Sequence, residues 1–135
     1  MVQFYGIIII NNKNMEEPKI IKIDNVEYIR KDSYTPAQKV DGLDYVIIRT
    51  YSAGVFAGYL VSKKDKEVKL RNARRLWAWY GAASLSQLAM EGVSKPNECK
   101  FPCEVEEIIL TEAIEIINCS EDARLSIKNV PIWKE

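Results

Sequence analysis

The feature that most constrains this chain is a series of short runs rich in β-branched and aromatic residues, each ended by turn-forming residues. Runs 19–23 and 26–31 flank Asp24-Asn25, and runs 55–62 and 67–70 flank Lys63-Lys64-Asp65-Lys66. Between them stands Tyr45-Val46-Ile47-Ile48-Arg49-Thr50-Tyr51, the clearest strand of the sequence, and residues 104–117 return to the same composition. Such residues fit a pleated, half-buried surface, and two runs separated by residues that tolerate positive φ form hairpins. Residues 32–44, with Pro36, Gly42 and several Asp, read as a surface loop. A chain of 135 residues has room for one full-sized core. Residues 1–18 read as an N-terminal strand or arm and 19–135 as a single ligand-binding domain. The apolar run at 4–10 is far shorter than the roughly 20 residues that span a bilayer, so it reads as a strand to be covered by its own domain or by a neighbouring subunit. With no basic leader ahead of it, the expected location is cytoplasmic.

Helical signals are confined to three places. Asn72 can cap a helix over 73–80, with Ala, Leu and Trp in its body. Ser84 and Gln87 have the spacing of a capping box for a helix over 85–91 that ends at Gly92. Ser120-Glu121-Asp122 opens a last short helix, with Lys128 near its end and Pro131 blocking continuation. The order strands, helices, strands, helix points to an α+β fold, a largely antiparallel β-sheet with a few short helices packed on one face.

Charge and residue counts remove several function classes. Nineteen Lys+Arg balance nineteen Asp+Glu, which leaves no overall basic field for polymeric nucleic acid or an anionic membrane. The chain has no histidine, which excludes Ser-His-Asp and Cys-His catalysis and His-based zinc sites. Cys99, Cys103 and Cys119 read as idle or buried thiols of a reducing compartment, and neither a metal nor a cofactor is expected. Glu106, Glu107, Glu112 and Glu115 alternate with Ile, the pattern of a solvated strand face rather than a catalytic pair.

Two stretches depart from what a plain core asks for. In the first, Arg49, Thr50 and Tyr51 lead into Ser52-Ala53-Gly54, small residues that let a ligand approach the backbone; the plainer reading is a turn or bulge. In the second, Arg74 and Arg75 lie in the first turn of the expected helix, where cations are disfavoured unless something negative compensates. Backbone N–H groups plus two guanidinium forks suit a phosphate, and Trp77, Trp79 and Tyr80 offer faces for a purine. The plainer reading is a solvated Arg pair above a Trp-filled core. Trp77 and Trp79 cannot share one helical face.

The run Arg74-Arg75-Leu76-Trp77-Ala78-Trp79-Tyr80-Gly81-Ala82-Ala83-Ser84-Leu85-Ser86-Gln87-Leu88-Ala89, taken with Cys99-Lys100-Phe101-Pro102 and Val130-Pro131-Ile132-Trp133, resembles the first class of Thoeris anti-defence proteins of phages and prophages. The resemblance covers residues 20–133 and implies a homodimer or higher homo-oligomer in the host bacterial cytoplasm. Such a protein holds cyclic ADP-ribose isomers made by TIR-domain proteins without cleaving them. On that reading Arg74 and Arg75 neutralise the pyrophosphate, and one of Trp77, Trp79 and Tyr80 stacks the adenine. Asn72, Ser84 or Gln87 read hydroxyls or the base edge, and backbone amides of Ser52 to Gly54, with Arg49 or Tyr51, close the other side. Replacing Arg74 or Arg75 with Ala then weakens binding and leaves the fold intact. The alternatives are a cyclic-nucleotide-degrading enzyme using Glu or Tyr, and a phage inhibitor that contacts a host protein through its Trp-rich face.

Overall fold

The structure is a computed structural model that describes residues 34–135, together with the backbone of 20–23 and 26–29. The chain divides into two units, 1–34 and 35–135. In the first unit β1 (Ile20–Ile23) and β2 (Val26–Ile29) pair antiparallel with Ile23 opposite Val26, the hairpin expected around Asp24-Asn25. The strand expected at 4–10 lies outside the described residues.

The second unit contains β3 (Tyr45–Thr50), β4 (Val55–Lys64), β5 (Glu67–Arg75), α1 (Leu85–Glu91), a 3₁₀ turn (Pro96–Glu98), β6 (Val105–Leu110), β7 (Ala113–Asn118) and α2 (Glu121–Asn129). The strands form one antiparallel sheet in the order β6-β5-β4-β3-β7. Its two edge strands are consecutive in the chain, joined only by Thr111 and Glu112. In a flat sheet of this width the edges would lie about 19 Å apart. The three peptide steps from Leu110 to Ala113 reach about 11 Å at most. The sheet therefore has to coil, and the turn is tied in place by Ala113 N–H to Lys66 O (3.0 Å) and Tyr51 N–H to Glu112 O (2.9 Å).

Coiling gives the sheet two buried faces. Val46, Ile48, Phe56, Val68, Leu70, Ala73, Leu110 and Ala113 fill the inside of the curve. Tyr45, Ile47, Ala57 and Tyr59 face outward, where they pack with Leu88 and Ala89 of α1 and Ala123 and Ile127 of α2. Strict alternation along β3 explains why its run is apolar at nearly every position. The architecture is α+β with the helices on one face.

The expected helix at 73–80 does not form. β5 runs through Arg75, and the chain stays extended to Ala78, which bridges Lys100. The segment carries the first stretch of β4 as a ready partner, with Leu76 N–H bonded to Val55 O at 2.8 Å, and pairing outweighs the modest helix propensity of Ala, Leu and Trp. Asn72 is not a cap but a bulge residue at φ 50°, one of the few non-glycine types that adopt this region readily.

Both remaining helices begin as the sequence predicts. Ser84 Oγ accepts Gln87 N–H at 3.1 Å, while Gln87 Oε1 takes the N–H of Ala83 at 2.7 Å, one residue before the cap. Gly92 ends α1 at φ 76°, where a Cβ would collide with Ser126 of α2. Ser120 Oγ caps α2 at Ala123 N–H (3.0 Å) and donates to Met90 O (2.6 Å), joining the two helices. Among the described residues no helix is long and apolar enough to cross a membrane. Burial pushes the Cys119 thiol up to about 12, which makes it inert as a nucleophile.

Glu121 joins α2 to the loop before β3. Its carboxylate accepts from Arg124 Nη2 and Nε (2.6 and 2.9 Å) and from Gln38 N–H (2.7 Å), and these bonds hold its pKa at about 2. A carboxyl lowered on folding stabilises the fold above its unfolded pKa and loses that contribution as pH falls towards the folded value. The thermal midpoint is expected to drop between pH ~5 and ~2, and Glu121→Gln to flatten that part of a calorimetric pH series.

Candidate functional site

Strand pairing brings the two singled-out stretches to the same end of the sheet, with Phe56 opposite Arg75 and Ala57 opposite Arg74. The loop between β3 and β4 is closed by Thr50, whose N–H and Oγ1–H both bond Gly54 O (3.0 and 2.7 Å) while Oγ1 accepts Ala53 N–H (2.9 Å). Gly54 is at φ 101°, a conformation that favours glycine. Ser52 Oγ donates to Glu112 Oε1 at 2.9 Å, and Tyr51 projects from the loop, 77% exposed. Arg49 is occupied by a cross-strand ion pair with Glu115, Nε to Oε1 at 2.9 Å.

The bulge at Asn72 decides where the two arginines go. Between Tyr59↔Arg71 and Ala57↔Arg74 β5 has one residue more than β4, so the alternation shifts by one. Ala73 joins the interior of the curve and Arg74 turns to the helical side. There the Arg74 side chain is spent on the fold. Residue 74 is only 3% exposed, and its guanidinium donates to Pro102 O (2.8 Å, Nε), Ile127 O (2.6 Å, Nη1), Phe101 O (3.1 Å, Nη2) and Val130 O (2.8 Å, Nη2). Four of its five N–H groups are thereby used. Sequence places this cation at a helix N-terminus; the structure places it at the C-terminal end of α2, where the carbonyls and dipole favour it. Burial lowers its pKa, with Glu104 and Tyr45 opposing that shift.

Arg75 points the other way. Its guanidinium lies 4.3 Å from the Phe56 ring centroid and donates from Nη1 to Ala53 O at 2.7 Å, its only hydrogen bond among the described residues. The remaining donors are open to an anion.

Beyond Arg75 three segments meet through the isolated bridges Ala78↔Lys100 and Phe101↔Ile132, and they carry aromatic rings. Ala78 and Lys100 exchange backbone bonds (3.3 and 2.7 Å), and Trp133 N–H reaches Phe101 O at 2.9 Å. Trp77 (64% exposed) and Trp133 (45%) are stacked at 15° with centroids 6.3 Å apart. Lys100 Nζ lies 5.6 Å from the Trp133 ring centroid. Trp79 instead packs against the helical core, so the two tryptophans do part company, by strand rather than helix geometry. Tyr80 is half exposed, with its N–H on Cys99 Sγ at 3.3 Å. Ser84 and Gln87 are committed to the α1 cap and do not join this surface. Lys100 and Trp133 stand in runs that carry the resemblance but were not selected as site residues, because only the pairing of remote segments puts them beside Trp77.

Clefts also open elsewhere on the surface of the described residues. One of about 450 Å³ is lined by Arg74, Cys103, Glu104, Lys128 and Ile132. A second, about 610 Å³, is lined by Arg71, Asn72, Glu106 and Glu107, and a third, about 360 Å³, by Lys63, Asp65 and residues 113–116. Among the described residues no group of three His, Cys, Asp or Glu is placed to hold a metal ion.

Residues 43–127 match a family described as a domain of unknown function, DUF6948. The chain belongs to this family. The DUF6948 match takes in β3 through most of α2, hence the coiled sheet, the Asn72 bulge, Arg74, Arg75 and Trp77, and it ends before Trp133. No curated protein and no solved structure matches the chain.

The arginines should separate cleanly on substitution. Arg74→Ala leaves a set of buried carbonyls without donors and is expected to cost about 3–5 kcal/mol in urea unfolding. Arg75→Ala, at a half-exposed site, is expected to cost about 1 kcal/mol or less.

Proposed function

We propose that this protein binds and sequesters a small cyclic nucleotide of the cyclic ADP-ribose type without altering it, and so blocks Thoeris signalling inside an infected bacterium. The observation that carries this reading is the pair of exposed, near-parallel indoles Trp77 and Trp133 with Lys100 beside them. Exposing two tryptophans costs hydrophobic stabilisation, and a planar base stacked on them recovers it. Arg75, two residues before Trp77 on the same strand run, supplies a guanidinium with free donors for the pyrophosphate, a task for which Arg74 has no spare fork. Ala53 O ties the 51–54 loop to Arg75, and Tyr51, exposed on the same loop, can close one side of the ligand.

Sequestration asks for affinity alone. Holding a signal at cellular protein levels takes nanomolar binding, about 12 kcal/mol, which favours enclosure of the ligand between copies in a homo-oligomer. A second reading, contact with a host protein, draws on the same exposed indoles together with Ile132, because aromatic anchors are what protein interfaces select.

Calorimetric titration with cyclic ADP-ribose isomers, followed by heat denaturation and assay of the supernatant, separates the readings. Sequestration gives tight binding and recovery of unchanged ligand. A converted ligand means an enzyme, and no binding together with capture of a host polypeptide means a protein inhibitor. Trp77→Ala is expected to raise Kd by about 5–150-fold, the value of one base-stacking contact, with the unfolding curve little changed.

A further inference from the structure

We infer that Cys103 is a modification site: the cleft it lines is fitted to take up an anionic cysteinyl peptide of the glutathione type as a mixed disulfide. The three thiols of the chain differ sharply in their surroundings. Cys119 is 2% exposed and Cys99 7%. Cys99 Sγ is further engaged by Tyr80 N–H (3.3 Å) and by Lys95 O (3.4 Å). Cys103 alone is exposed, and access is the first requirement for exchange at sulfur.

The thiol does not stand by itself. With Arg74, Glu104, Lys128 and Ile132 it lines a cleft of about 450 Å³, a size that accommodates a small molecule. Arg74 is buried and spends four N–H groups on carbonyls, but the fifth, on Nη1, has no acceptor among the described residues. Burial lowers the Arg74 pKa, and Glu104, Tyr45 and Cys103 oppose that shift, so the thiol lies within electrostatic reach of the guanidinium. Lys128 enters from the last turn of α2, with Nζ 3.4 Å from Glu104 Oε2 and two further donors to offer. The cleft therefore sets two cations and one carboxylate around a thiol. Glutathione is its complement, with two carboxylates and one ammonium around a thiol, and Ile132 offers apolar contact to its methylene groups. The formal net charge of the chain is zero, so any preference for an anion has to come from this local arrangement.

The step is a thiol–disulfide exchange. The Cys103 thiolate attacks one sulfur of the peptide's disulfide form, a new S–S bond forms as the old one breaks, and the departing thiolate takes up a proton in place of the one Cys103 released. Cys103 is oxidised, the departing half is reduced, and the peptide disulfide is the oxidant.

The full chain can be treated with glutathione disulfide or with cystamine, a disulfide that bears ammonium groups and no carboxylate, and the adducts followed by mass spectrometry and peptide mapping. The folded protein is expected to gain one glutathionyl group, at Cys103, and Cys103→Ser to gain none. The ratio of the two rates, glutathione disulfide over cystamine, is expected to exceed that of the urea-unfolded chain by about fivefold or more, the effect of one cation at close range. Lys128→Gln is expected to reduce that excess while leaving the thermal midpoint nearly unchanged. If this variant does not fold, added salt on the unaltered chain takes its place, because screening weakens the attraction of an open cleft for an anion. Addition at Cys99 or Cys119 of the folded chain, a rate ratio equal to that of the unfolded chain, or an excess that outlasts Lys128→Gln or high salt would each overturn the proposal.

Discussion

A single buried guanidinium organises the C-terminal half of this molecule. Arg74 reaches from β5 to the carbonyls of Phe101 and Pro102, ahead of β6, and to those of Ile127 and Val130 at the end of α2. A charge is tolerated out of water only where its donors are matched, and here carbonyl oxygens from two remote segments match them. The arrangement also reaches the aromatic surface, because Phe101 O receives Trp133 N–H as well as Arg74 Nη2. What directs Arg74 to this place is the left-handed conformation of Asn72, which adds one residue to β5 and reverses the faces that follow.

The coiled sheet determines where binding chemistry can be. Its inner curve is filled by Val, Ile, Leu and Phe side chains, and its outer face is covered by α1 and α2. Among the described residues, the exposed polar and aromatic groups are therefore found where strands end: the 51–54 loop, Arg75 and the Trp77–Trp133 pair. The loop and Arg75 share one anchor, the hydrogen bond to Ala53 O, so residues far apart in sequence present a common surface.

Much of this was legible in the chain itself. β3 could be read from its β-branched run, and the starts of α1 and α2 from Ser84 with Gln87 and from Ser120 with its following acids, because caps and turns are decided by side chains a few residues away. Part of this surface was legible: Arg75 and the 51–54 loop were recognised as unusual, and the bond from Arg75 to Ala53 O joins them. Residues 73–80 were misread as helix because their composition suits either state, and only the waiting edge of β4 decides between them. Ser84 and Gln87 turned out to be committed to capping, Arg49 to Glu115, and Arg74 to backbone carbonyls.

The sequence by itself determined the element types set by short-range chemistry, the absence of histidine-based mechanisms, and the presence of cationic and aromatic groups in excess of what a plain core requires. Tertiary structure alone decided which of those groups remain available. A guanidinium is a ligand-binding fork or an internal strut according to whether carbonyls from elsewhere reach it first, and a one-residue bulge settles that by choosing the face. Lys100 and Trp133 illustrate the same rule in reverse: they belong to runs that carry the family resemblance but were given no role in a site, and only the pairing of distant segments sets them beside Trp77.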